Sequence, residues 1–177
     1  MVKVKFCGMK RLGDALDAAR LGVHALGFVF VKGSKRFIEP KDARQIIQKL
    51  PPFVLRVGVF ANPSEDEVRE IANMCKLDVI QLHGDEDIEF CKKLKGDFRI
   101  IKALRVRDES VLEEIPKFYF VDAILLDTYE KDQLGGTGKS FNWDIARRAR
   151  DFDIPIILSG GLDPGNVKEA IRKVNPY

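Results

Sequence analysis

Cysteine and histidine are scarce in this 177-residue sequence, which has three of the first and two of the second. Cys7, Cys75 and Cys91 form an odd set at wide spacings, which excludes a disulfide framework and a zinc pattern and points to a reducing, cytoplasmic setting. His24 and His83 stand far apart, so no metal site is expected. No apolar run approaches the ~18 residues of a membrane span, and no signal-peptide pattern is visible at the start. A dense basic face is also missing. The net charge is +3, with Lys and Arg scattered among Asp and Glu, so no nucleic-acid partner is expected.

What is present suits a globular core: 45% of residues are hydrophobic and 32% charged, enough for one soluble domain over residues 1–177. Short apolar, β-rich runs begin near Val2, Ala25, Phe53, Val79, Arg99, Ala123 and Pro155. Amphipathic stretches separate them, among them "EPKDARQIIQKL", "PSEDEVREIANMC" and "NWDIARRARDF". The runs "ALGFVF", "FVLRVGVF" and "AILLD" are almost continuously apolar, as in parallel strands covered on both faces. Asn142 is placed to cap one helix; Asp163, with Pro164 at the first helical position, is placed to cap another.

The repeat is one βα unit per ~20–30 residues, the length of a βαβ crossover. Seven units fit either an open doubly wound sheet or a (β/α)₈ barrel lacking its last unit. Polar residues favour the barrel: Cys7, His83, Asp127 and Ser159 each end a different strand, and in a barrel those ends share one mouth. If Cys7 points inward, period-2 alternation turns Lys3 and Lys5 inward too. The same rule puts Gln81 beneath His83 and Leu125 beneath Asp127. An inward lysine needs a partner, so Lys5 is expected to meet an acidic or carbonyl group.

Several residues could carry chemistry. A small cysteine among apolar neighbours is ordinarily inert, and Cys75 and Cys91 are read so. Cys7 differs, because it is the last residue before a glycine turn at a strand end. A free thiol with pKa near 8.5 is only ~3% ionised at neutral pH, so useful basicity needs a cation or dipole nearby. Asp127 closes an aliphatic strand. Its carboxyl either keeps a proton through desolvation and acts as an acid, or binds loop amides. The long loop from Tyr129 to Lys139, with Gly135, Gly136 and Gly138, reads as a mobile lid. Its "GGTGKS" fails as a phosphate-cradling Walker loop, since the position five before Gly138 is Gln133. In "VKGSKRF", Lys32, Lys35 and Arg36 are either a solvated basic loop, or Arg36 grips a carboxylate with its planar fork. Gly160 and Gly161 end the seventh strand, where barrels commonly hold phosphate and bare backbone lets N–H groups approach an anion. His83 in "QLHG" stays open between ligand, base and structural residue.

The blocks "KVKFCGMK", "ALGFVF…SKRFI", "RVGVF", "IQLHG", "ILLDT", "GGTGKSFNW" and "LSGGLDPGNV" together resemble the phosphoribosylanthranilate isomerase family of tryptophan biosynthesis, in order along the whole chain. The resemblance implies a (β/α)₈ barrel that performs an Amadori rearrangement of a phosphosugar–anthranilate substrate without a cofactor. It implies Asp127 as general acid, Cys7 as general base, Arg36 as the carboxylate clamp and His83 as a neighbour of the substrate. Gly160 and Gly161 would supply part of a 5′-phosphate cradle. The histidine-pathway isomerase, a related sugar rearrangement, looks to use paired aspartates, and Cys7 speaks against it.

Family members continue past a segment like "VNPY" into an eighth βα unit. A barrel typically has ~250 residues and rarely fewer than ~200, so this chain is expected to be short by that unit and weakly active or inactive alone. Its first and seventh strands would then be open edges. The alternative to an isomerase is accordingly a non-catalytic fragment that self-associates through those edges, as a homo-oligomer.

Overall fold

The computed structural model describes residues 2–129 and 141–177. Beyond Tyr129, the expected lid, with Gly135, Gly136 and Gly138, lies outside the described residues. Strands and helices alternate in chain order, giving an α/β protein with parallel strand pairs. They form two compact units.

The first unit spans Lys3–Glu86 and Gly96–Arg99. It holds β1 (Lys5–Cys7), α1 (Leu12–Arg20), β2 (Ala25–Val29), α2 (Pro40–Ile47), β3 (Leu55–Phe60), α3 (Glu65–Cys75) and β4 (Val79–Leu82). β1 pairs with β2, β2 with β3 and β3 with β4, all parallel, with Cys7 opposite Gly27 and Val59 opposite Gln81. β2 is buried throughout, as its unbroken apolar run requires. α3 shows how local sequence sets an element. Val68, Ile71, Ala72 and Cys75 recur at helical spacing and are buried. Ser64 accepts from the Glu67 amide at 3.2 Å, and Glu65, Asp66 and Glu67 load the positive end of the helix dipole. Lys76 then leaves the helix in a left-handed conformation, φ 53°.

The second unit holds Val2, Asp87–Lys95 and Ile100–Tyr177. It contains α4 (Ile88–Lys95), β5 (Arg99–Val106, beyond Arg99), α5 (Val111–Glu114), a 3₁₀ turn (Ile115–Phe118), β6 (Ala123–Thr128), α6 (Trp143–Ala149), β7 (Ile156–Leu158) and α7 (Val167–Val174). β5 pairs with β6 and β6 with β7, with Arg105 opposite Asp127. In β6 every residue is buried; Ile124 and Leu126 are fully enclosed and stabilise the fold by roughly 1.5–3 kcal/mol each. α5 lasts one turn, because Pro116 has no amide to continue the ladder.

Asn142 caps α6 by accepting from the Asp144 amide at 3.0 Å. Asp163 takes the expected cap ahead of α7. Its side chain accepts from the Gly165 and Asn166 amides at 2.7 and 3.0 Å, and its carbonyl accepts from the Val167 amide at 2.9 Å, a helical i+4 bond. The regular helix runs from Val167. Lys3, expected inward, precedes β1 and is exposed, so strand alternation does not reach it. Among the described residues no helix is long and apolar enough to cross a membrane.

An ion pair that sequence patterns did not show closes the start of β3. Arg56 donates to Asp78 from its side-chain Nε and its own amide, each at 2.7 Å, and from Nη2. Burial alone would push the Asp78 carboxyl up. The hydrogen bonds from Arg56 and the positive charges of Arg56 and Arg99 outweigh it and leave the carboxyl below the usual range. A carboxyl depressed in the folded state stabilises the fold in full above its unfolded pKa of about 3.9, and that contribution disappears as pH falls through the folded value. Melting curves from neutral to strongly acidic pH are therefore expected to lose about 1 kcal/mol less stability on acidification in Asp78→Asn than in the native chain. Identical acid sensitivity of the two would remove Asp78 from the acid response.

Candidate active site

In the first unit the Cys7 thiol is held by backbone pairing and by an absence. Cys7 ends β1 opposite Gly27, and the amides of Gly8 and Met9 both donate to the Gly27 carbonyl, at 2.9 and 3.0 Å. A Cβ on Gly27 would stand 2.8 Å from Cys7 Sγ and 3.2 Å from its Cα. Only a bare α-carbon at 27 leaves the thiol its seat, which is why a glycine interrupts an otherwise apolar strand. Cys7 is half-buried, whereas Cys75 and Cys91 are buried, and none of the three is in a disulfide.

Arg36 comes to the same strand end. Its stem crosses Gly8, where a Cβ would lie 2.6 Å from Arg36 Cδ; Gly8 itself has φ 92°. The loop folds back through Ser34, whose hydroxyl accepts from the Arg36 amide at 3.2 Å and whose carbonyl accepts from Phe37 at 3.0 Å. Lys32 and Lys35 are exposed while Arg36 is not, so the three cations do not form one solvated cluster. His83 follows β4, its amide donating to Phe60 at 2.8 Å. Beneath it, Lys5 Nζ donates to Gln81 Oε1 at 2.8 Å, and Gln81 Nε2 lies 2.8 Å from His83 Nδ1. Lys5 thus meets a carbonyl group, an amide one. β1 and β4 are three strand steps apart, roughly 14 Å in a flat sheet; side chains that touch across that span require the first unit's sheet to curl.

Sequence reading missed a clasp behind His83. The buried Glu86 carboxylate accepts from the amides of Asn62 and Gly84 at 2.9 and 3.0 Å, and Asn62 Oδ1 accepts from Asp85 at 2.7 Å. Asn62 adopts φ 51°. An asparagine just past a strand end, a residue type that tolerates the left-handed conformation, was the available signal.

In the second unit Asp127 is only 4% exposed, and its Oδ1 accepts from the Thr128 amide at 2.9 Å. Gly160, φ 84°, lies against it. A Cβ there would stand 2.7 Å from Asp127 Oδ1 and 2.6 Å from the Thr128 nitrogen, and would also strike the Thr128 hydroxyl. The Gly161 carbonyl accepts from Asn166 Nδ2 at 2.7 Å, which ties the glycine pair to the turn ahead of α7. Gly160→Ala is expected to cost about 1–3 kcal/mol of stability. Gly13→Ala, in α1 with nothing within 4 Å of the added methyl, is the control. Equal melting temperatures in the two variants would show that the contact at Gly160 does not constrain the fold. Among the described residues no three His, Cys, Asp or Glu side chains are grouped as a metal would need.

The fold and these residues define a class: a parallel βα protein that presents a thiol, a guanidinium, an imidazole and a carboxyl at the C-terminal ends of its strands. Residues 4–177 match the family described as N-(5′-phosphoribosyl)anthranilate (PRA) isomerase. The chain is 51% identical over all its 177 residues to the N-(5′-phosphoribosyl)anthranilate isomerase of Geobacter metallireducens, covering 86% of that protein. The corresponding enzyme of Moorella thermoacetica is 48% identical, with 78% of it covered. The crystal structure of the Thermotoga maritima phosphoribosylanthranilate isomerase superposes with TM-score 0.93 at 44% identity, over 99% of this chain and 85% of that one. A solved isomerase in complex with reduced 1-(o-carboxyphenylamino)-1-deoxyribulose 5-phosphate gives 0.90 at 42% identity, over 100% and 84%. The chain belongs to the N-(5′-phosphoribosyl)anthranilate isomerase family.

Proposed function

We propose that this chain isomerises N-(5′-phosphoribosyl)anthranilate to 1-(2-carboxyphenylamino)-1-deoxyribulose 5-phosphate, with Asp127 as general acid and Cys7 as general base. Asp127 gives its proton to the furanose ring oxygen, the C1′–O bond breaks, and the nitrogen lone pair forms an iminium. The iminium acidifies the C2′ hydrogen, which passes to the Cys7 thiolate, leaving an enolamine. Return of a proton to C1′ and loss of the C2′ hydroxyl proton give the ketose, so atoms balance without any oxidant, reductant or cofactor. Each positioned acid or base contributes about 10²–10⁴ in rate. Arg36 grips the anthranilate carboxylate, His83 contacts the substrate, and Gly160 and Gly161 approach the 5′-phosphate. This reading takes the seven βα units as part of a (β/α)₈ barrel.

The observation that carries the proposal is the seating of Cys7 on Gly27 at the end of β1, in a chain related over its full length to named isomerases. Those full-length matches also favour an enzyme over a non-catalytic fragment. The test is conversion of N-(5′-phosphoribosyl)anthranilate by the purified protein, followed by chromatography, beside the aldose-amine of the histidine pathway. Turnover of the first and not the second is expected. Preference for the second would overturn the reading. Self-association is part of the proposal: one solved neighbour is described as monomers generated from a dimeric isomerase, and sedimentation measures the mass in solution.

A further inference from the structure

Gln81, 2% exposed, sits between a side chain that can only donate and one whose role depends on where its proton lies. An ammonium carries N–H donors and no acceptor. Lys5 Nζ at 2.8 Å therefore fixes which end of the Gln81 amide faces it: the oxygen. The NH₂ end must then face the other way, 2.8 Å from His83 Nδ1. An amide NH₂ has no lone pair to offer, so Nδ1 has to accept. A neutral imidazole accepting at Nδ1 carries its proton on Nε2. A doubly protonated ring would set Nδ1–H against the amide N–H across 2.8 Å, which costs free energy.

We infer that Lys5 and Gln81 are positioning residues that lock His83 in the neutral Nε2–H tautomer, so that His83 serves as a hydrogen-bond donor and not as a proton acceptor. Strand alternation makes the device possible. Lys5 shares a face of β1 with Cys7, and Gln81 lies two residues before His83. The tautomer follows from the geometry alone. Its consequence rests on the isomerase reading: His83 offers Nε2–H to a substrate oxygen, and proton abstraction is left to Cys7.

The protein has one other histidine, His24, whose Nδ1 accepts from the Val4 amide at 3.1 Å, so ring-nitrogen spectra hold two residues and His24→Gln identifies them. In ¹⁵N-labelled native protein near neutral pH, His83 is expected to show an unprotonated Nδ1 and a protonated Nε2. Gln81→Glu replaces the donor with an acceptor and is expected to move a proton onto Nδ1. Lys5→Met frees the amide to turn over and is expected to mix the tautomers. Both variants are expected to lose about 10–100-fold in kcat/KM. A protonated Nδ1 in the native protein, or an unchanged His83 pattern in Gln81→Glu and Lys5→Met, would overturn the inference. Should Gln81→Glu not fold, the native spectrum and Lys5→Met decide it. A native chain without isomerase turnover would overturn the function proposed above and leave the tautomer readable.

Discussion

Asp127→Asn is expected to lower kcat by about 10²–10⁴ while leaving the melting temperature nearly unchanged. The asparagine amide has the volume of the carboxyl, so the close contact with Gly160 is preserved. Its Oδ1 still accepts from the Thr128 amide, the bond at 2.9 Å in the native chain. What it lacks is a proton acidic enough to pass to a leaving ring oxygen. The substitution therefore separates two roles that sequence alone left open, a structural acceptor for loop amides and a proton donor. If the bond to Thr128 were its whole purpose, Asn would serve and turnover would persist. Parallel kcat and unfolding measurements decide between them.

Cys7→Ala and Cys7→Ser are each expected to lose about 10²–10⁴ in kcat. A methyl cannot accept a proton, and a serine hydroxyl, far less acidic than a thiol, supplies almost no anion at neutral pH. Neither replacement disturbs the β1–β2 ladder, which is backbone pairing from Lys5–Ala25 to Cys7–Gly27. Both side chains are no larger than the thiol, so the space left by Gly27 accommodates them. Alkylation gives an independent measure. Cys75 is buried, and burial pushes its thiol up, with Arg44 only partly offsetting it; Cys91 is fully buried. A small alkylating reagent should therefore modify Cys7 first and abolish turnover in step, and substrate should slow both. Inactivation that persists in Cys7→Ala, or full turnover in either variant, would take the thiol out of the mechanism.

Elements were legible because their causes are local. The apolar period of α3, the Asn142 cap and the continuous apolar runs of β2 and β6 depend on residues a few positions apart. The Asp163 cap is local too: its side chain accepts from the amides of Gly165 and Asn166, two and three residues on. The inward direction of Lys5 followed from a period of two, and so did its need for a partner.

The sequence by itself determined the alternation of strands and helices, the strand ends that carry Cys7, His83 and Asp127, and the family. Tertiary structure alone decided which neighbour each of these side chains has. Gly27 beneath the thiol, Gly160 against the carboxyl and Lys5 on Gln81 join residues 20 to 76 positions apart. Strand register and sheet curl bring such residues together, and these are set by the packing of whole elements, which no short stretch of chain encodes.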